Sequence, residues 1–308
     1  MADISRSEVS TLIQEAYSAD LLMTAADNSA ALTAFRTVDM GTKTTNLPVL
    51  ATIPEADWVA ESATDSGGVK PTAQVTWGNK QLVAEEIAVI IPVHENVIDD
   101  ATEDILAEIA RQGGAAIGRK LDAAVYFGDD KPVSWTSDDL LAATVAASQT
   151  VTVGTGDYDL VGALFQAAGF VDSAGYEPTT VAAPRGLRFR LANLRDGQNA
   201  PIFLPSLSSA PGAVDSIAGM QAAWVSGRAW NRAEAEAMVV DADRVIIGVR
   251  QDVTVKFLDQ ATVGGINLAE RDMVALRFKA RYAYVLGTGV TSEGDTEAPV
   301  AAVLPAGS

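Results

Sequence analysis

The run Met273–Leu286 limits the fold more than any other part of the sequence. Val274, Leu276, Phe278, Ala280 and Tyr282 alternate with Arg277, Lys279 and Arg281, and successive side chains on a strand point to opposite faces. Both sets are satisfied only by a long strand in a sheet with one face on a core and one in water. A second long element lies upstream. After caps and first-turn acids in Asp100–Asp104, Ile105, Ile109, Ala116, Ile117, Leu121, Ala124 and Val125 recur at helical spacing as far as Gly128. Gly113 and Gly114 interrupt this pattern; each costs about 1 kcal/mol relative to alanine in a helix, and the pair marks a bend.

Other segments are shorter. Ser5 and Glu8 have capping-box spacing, and Val9, Leu12, Ile13, Ala16 and Tyr17 follow at helical intervals. Phe35–Ile53 is extended and rich in threonine and valine, with Pro48 and Pro54 excluding a helix. Two strand-like stretches, Trp58–Glu61 and Gln74–Pro92, flank the turn formers Ser66, Gly67 and Gly68 and predict a long hairpin. Such a hairpin has little core of its own and needs a neighbouring surface. Beyond Pro132, a helix capped by Asp157 runs to about Gly169, Thr180–Ala183 is a strand, and Arg185–Leu194 is a short basic helix. Ile217–Val225, Met238–Val240, Arg244–Arg250 and Val253–Leu258 have strand character. Thr291–Ser308 follows neither period and is expected to be flexible or pinned by a partner.

Composition removes several functions. The 308 residues are 48% hydrophobic and 20% charged, as a folded chain requires. There is no cysteine and His94 is the single histidine, which removes disulfides, thiol catalysis and the usual zinc sites. Carboxylate-only calcium or magnesium sites survive that cut. A net charge of −18 opposes a grip on polyphosphate. Charges within Met1–Ala26 interrupt any signal-peptide core, and Ile87–Val93 is far short of a membrane span. The expected location is the cytoplasm.

Few residues suggest chemistry. Gly113–Lys120 approximates a phosphate-binding loop, but Arg119 occupies the lysine position and the segment falls inside the helical pattern. The acidic pairs at 85–86, 99–100, 129–130 and 138–139 lack the alternating spacing of a calcium loop and read as solvated surface. His94 has no partner motif for a hydrolase triad and reads as a junction residue. Arg185, Arg188, Arg190 and Arg195 form a basic cluster best suited to ion pairing with acidic neighbours. No catalytic, cofactor-binding or metal-binding residue is assigned, and the chain is not expected to be an enzyme.

The order of these elements resembles the major capsid proteins of tailed bacteriophages. The likeness is carried by Asp57–Glu61, Trp77–Lys80, Ile87–Pro92, Asp99–Asp100 with the helix through Gly128, Gly248–Arg250 and Arg271–Val285; Trp135–Val240 matches least. The resemblance implies an α+β chain with the Hong Kong ninety-seven-like fold. Its expected parts are an N-terminal arm (residues 1–52), an extended E-loop hairpin (53–92), a peripheral domain with the spine helix (93–134 and 255–290), an axial domain (135–254) and a C-terminal tail (291–308). It also implies pentamers and hexamers closing into an icosahedral shell around double-stranded DNA, assembled in the host cytoplasm. Portal, scaffolding and head-completion or decoration proteins are the expected partners, with no membrane and no sequence-specific DNA binding.

Within that picture Trp58 and Trp77 supply apolar area to a neighbouring subunit, and Glu61, Lys70 and Lys80 fix its register. Gly113 and Gly114 let the spine helix bend between shell environments. Two other readings stand beside this one. An encapsulin compartment shell shares the fold and would hold cargo protein, and a cytoplasmic carboxylate- and metal-dependent enzyme would form small oligomers.

Overall fold

The computed structural model describes residues 29–50, 77–99, 105–154, 159–194, 216–217, 219–288 and 297–306. Helix α1 (Ala30–Ala34) leads into β1 (Arg36–Asp39) and β2 (Thr44–Leu50), followed by β3 (Trp77–Val83) and β4 (Glu85–His94). Next come α2 (Glu95–Asp99), the long α3 (Ile105–Phe127), α4 (Leu140–Ala146), β5 (Thr150–Thr152), α5 (Leu160–Ser173), β6 (Thr180–Pro184) and α6 (Leu187–Ala192). The remainder is mostly sheet: β7 (Ser216–Ile217), β8 (Met220–Val225), β9 (Ala237–Val240), β10 (Val245–Leu258), β11 (Thr262–Val263), β12 (Ile266–Asn267), β13 (Met273–Leu286) and β14 (Val300–Leu304).

The alternating run Met273–Leu286 is β13, an interior strand of a four-stranded sheet ordered β1-β10-β13-β4. It is antiparallel to both neighbours, with Phe278 opposite Val255 on one side and Val89 on the other. Leu276, Phe278, Ala280, Tyr282 and Tyr284 are buried in one core with Ile117, Leu121 and Val125 of α3. Strand β4 alternates half-buried and exposed residues along its whole length, as a strand with one wet face should. The helical periodicity and the strand alternation therefore describe two surfaces pressed on each other.

Helix α3 passes through Gly113 and Gly114 without interruption. A Cβ placed on Gly113 would lie 2.7 Å from the ring of Phe278, so this glycine admits a fully buried aromatic ring against the helix backbone. Close approach accounts for the residue locally. The helix stops at Gly128, whose φ of +71° belongs to the left-handed region, and a Cβ there would meet the Asp139 carboxylate at 2.6 Å.

A second, six-stranded sheet has the order β5-β14-β9-β6-β8-β7. Strands β14, β9 and β6 are buried on both faces. Val181, Ala183, Ala237, Val239, Ala301 and Val303 meet α5 and α6, while Ala182, Met238, Val240, Val300 and Ala302 join the core shared with α3 and β13. Small side chains at these positions let the layers stack closely.

Several expectations change here. Val300–Leu304, expected within a flexible or partner-pinned tail, is β14, an interior strand of the six-stranded sheet, parallel to the edge strand β5 and antiparallel to β9. Its Ala-rich run is buried on both faces, so the period-two signal of a half-exposed strand never arises. The expected hairpin limb Gln74–Pro92 is two strands in two sheets, with the change at Ala84. Strand β3 pairs with Thr44–Leu50, and Trp58–Glu61 lies outside the described residues, as does the expected helix near the amino end. Helix α5 is capped by Asp159, whose carboxylate accepts from the Gly162 amide at 2.6 Å; Asp157 also lies outside the described residues. The expected division between residues 254 and 255 falls inside β10, one strand of the four-stranded sheet interrupted by register shifts.

Gly113→Ala is expected to lower the thermal midpoint of the unassembled chain. Overpacking against Phe278 costs about 1–3 kcal/mol, which outweighs a helix-propensity gain of about 1 kcal/mol. Adding Phe278→Leu should restore part of the loss, measured by thermal denaturation of the single and double variants.

Candidate functional site

Strands β2 and β3 form a two-stranded antiparallel ribbon from Thr44 opposite Val83 to Leu50 opposite Trp77. Residues 51–76, which include the turn formers Ser66, Gly67 and Gly68, lie outside the described residues. The ribbon's root is fastened to the outer face of the four-stranded sheet, where Met40, Leu82 and Ala84 bury against Ala283 and Val285, with Leu47 and Ile246 alongside. Gly248 leaves room on β10 for the Met40 thioether. Polar contacts secure the same region. Lys80 Nζ donates to the Leu286 carbonyl at 2.7 Å and to Thr288 Oγ1. Burial lowers its pKa from the ordinary lysine value, and the charge of Asp138 opposes that shift. Trp135 Nε1 donates to the Val83 carbonyl at 3.0 Å, and Ser134 Oγ to Glu85 at 2.8 Å.

The residues expected to meet a neighbouring subunit are not gathered into one described site. Trp58, Glu61 and Lys70 lie outside the described residues. Trp77 begins β3 opposite Leu50, at the ribbon's far end. Lys80 directs its ammonium to Leu286 and Thr288 of its own chain. Gly113 and Gly114 are buried within α3.

A feature not singled out from the sequence ties the amino-terminal segment to α3. Asp122 is fully buried, and its carboxylate accepts from Ser29 Oγ at 2.7 Å and from the Ala30 and Ala31 amides, each at 3.1 Å. Ser29 Oγ in turn accepts from the Leu32 amide, so α1 is capped from within and from outside. Aromatic packing surrounds the anchor: Phe35 meets Tyr126, and Tyr126 and Phe127 both meet Trp230. Burial raises the Asp122 pKa to about 6, although the hydrogen bonds from Ser29, Ala31 and Ala30 pull the other way. The Tyr126 hydroxyl is buried without a hydrogen-bond partner, and desolvation, then the Asp122 charge, raises its pKa well above the ordinary tyrosine value. In the sequence, Asp122 is an acid beside Leu121 on an otherwise apolar helix face; that misfit was the available signal.

Several of the remaining charged candidates have structural partners. Asp139 caps α4 through the Ala142 amide at 3.0 Å, Asp130 pairs with Lys120, and Glu86 pairs with Lys279 at 2.6 Å. From the basic cluster, Arg190 reaches the buried Glu236 at 2.5 Å, with Arg232 on the same carboxylate at 3.5 Å. The approximate phosphate-loop motif lies inside α3 with no strand before it, so it lacks the strand-to-helix turn that phosphate binding needs. Among the described residues, no three histidine, aspartate or glutamate side chains gather in a way that could hold a metal ion.

The model of the phage capsid family matches residues 10–287. Among solved structures, the chain is similar to one from Mycobacterium phage Bobi, with 59% identity over 100% of both chains and a TM-score of 0.81. It is also similar to one from Mycobacterium phage Adephagia, with 54% identity over 99% of this chain and 98% of that one and a TM-score of 0.80. The capsid of a native GTA particle shares the fold at 16% identity, covering 90% of this chain and 91% of that chain with a TM-score of 0.63. No curated protein shows a significant match.

Asp122→Ala should loosen α1 and destabilise the unassembled chain by about 2–3 kcal/mol, because buried donors lose their acceptor. The pH dependence has a definite sign. A carboxyl titrating near 6 when folded, against an ordinary value of 3.8, holds more protons folded than unfolded between those values. Its stabilising contribution is complete below the ordinary value and is lost as pH rises through about 6. Relative to Asp122→Asn, the parent chain should therefore lose stability as pH rises from 4 to 6.5, as read from paired thermal melts.

Proposed function

The chain belongs to the phage capsid family, and we propose on that footing how its parts serve a shell. It is a major capsid protein of the Hong Kong ninety-seven-like fold, a structural protein whose copies associate into an icosahedral virion shell. The single observation that carries this is the full-length similarity to a mycobacteriophage structure at 59% identity. Relatives from phages favour a virion over a cargo-holding compartment.

In our reading the copies are arranged as pentamers and hexamers around double-stranded DNA, and the shell is assembled in the host cytoplasm with portal, scaffolding and head-completion or decoration proteins. A net charge of −18 suits a container from which DNA must leave, because counterion-releasing phosphate contacts would make the genome adhere. The β2–β3 ribbon is the root of the E-loop, and residues 53–92 carry that hairpin. Trp58 and Trp77 supply apolar area to the neighbouring copy, with Glu61 and Lys70 as charged partners. Lys80 is the third charged partner and also fastens the root within its own chain. Residues 1–52 act as the arm, anchored at Asp122. The four-stranded sheet with α3 forms the peripheral domain and the six-stranded sheet the axial domain, the latter completed by β14.

Gly113 and Gly114 are the proposed bending point of α3. Because alanine at 113 collides with Phe278, Gly114→Ala is the clearer probe. Altered particle size or blocked expansion from a free chain that still folds is the expected result; unchanged shell geometry would remove the proposal.

Deleting Ser62–Pro71 should abolish particles while leaving a soluble chain with the parent's circular dichroism. Negative-stain microscopy and sedimentation read the outcome, and intact shells would refute the hairpin's role. Nuclease protection on particles from the native source should reveal enclosed DNA; protein cargo in its place would return the compartment reading.

A further inference from the structure

The outer face of the four-stranded sheet is divided across its middle. In one half, Ala283 and Val285 of β13 and Ile246 of β10 are covered by Met40, Leu47, Leu82 and Ala84. In the other half the same face turns basic. Arg277, Lys279 and Arg281 follow along β13, and Lys256 of β10 stands directly opposite Arg277. Four cations on one side of one sheet are conspicuous in a chain of net charge −18. Lys279 pairs with Glu86 at 2.6 Å, and the same Glu86 stands opposite Arg281, whereas Arg277 stands between Ile90 and Lys256. The Nε atoms of Arg277 and Arg281 are buried without a hydrogen-bond partner, which is costly for a charged donor unless a partner arrives.

We propose that this open, basic half-face receives a carboxylate-bearing surface of a second copy of the chain. The proposal rests on the shell reading and names a receiving surface within it. Three observations favour a protein over nucleic acid as the occupant. First, the cations are interleaved with apolar side chains: Ile90, 39% exposed, stands opposite Arg277, and exposed Ala88 stands opposite Lys279. Arginine set among apolar contacts is the composition of a protein interface core. Second, Arg277, Lys279 and Arg281 are each half-buried rather than fully exposed to solvent. Third, every copy brings an excess of 18 negative charges, so acidic surface is abundant on the neighbour and complementarity steers association. The adjoining half of the face is already an association surface within the chain, occupied by the ribbon root. The receiving surface continues from it.

Two measurements on the full chain test this. In Lys256→Glu/Arg277→Glu, which exchanges one like-charged cross-strand pair for another, the melting midpoint of the free chain should change little, while particle yield by sedimentation should fall at least tenfold; parent-level yield would overturn the proposal. Should that variant fail to fold, the decision passes to a photo-cross-linking residue at position 90 in assembled particles. A cross-link to an acidic peptide of another copy is the expected product. Cross-links to nucleic acid alone, or none between copies, would overturn the assignment. If the parent chain forms no shells, the shell reading itself fails; if the parent and the charge-reversed variant both form them, only this inference does.

Discussion

Everything in the molecule is organised around what lies on the two sides of β13. Its apolar side must be removed from water, and α3 is the element long enough to cover it. The contact is closest where Phe278 sits against Gly113, because a ring can reach a helix backbone only where no Cβ intervenes. The aliphatic and aromatic area removed from water there is the main favourable term in folding. Around that seam the six-stranded sheet adds its own inner face, so the two sheets share one core rather than meeting as separate bodies.

The other side of β13 does a different job. Its apolar half holds the ribbon root, and its basic half stays open among the described residues. A strand interior to a sheet thus positions a projecting element and a charged surface in a fixed relation, because both are read from one backbone with period-two alternation. Asp122 serves the amino-terminal segment in a similar way. A single buried carboxylate holds the start of α1 to α3, at the cost of a charge that burial disfavours.

The sequence was most legible where one face of an element met water. Met273–Leu286 announced both its faces, and the helix through Gly128 showed its apolar stripe and its left-handed stop. Strands covered on both faces were legible only in part: Thr180–Ala183 and Met238–Val240 read as strands, but the closing run did not. Val300–Leu304 is nearly all alanine and valine, which gives no alternation to read. Ala84 divides two strands that read as one limb, since the change of sheet is a tertiary event without a proline or glycine to mark it. Lys80 looked like a surface cation because sequence spacing does not reveal that Leu286 and Thr288 lie beside it. Gly113 is legible as a glycine inside a helix, but Phe278 supplies its packing reason from far along the chain. The family was readable because element order survives where single motifs do not.

The place of β14 also bears on timing. It sits between β5 and β9, so the six-stranded sheet remains in two pieces until residues 300–304 have left the ribosome. Strands β6 to β9 and β5 can form early, but their facing edges have nothing to pair with, and the contact that joins them spans about half the chain. Long-range closure of this kind is slow relative to local structure. A nascent chain consequently lacks a finished sheet while it is still tethered, and a copy becomes competent to join others only after its synthesis has passed that strand.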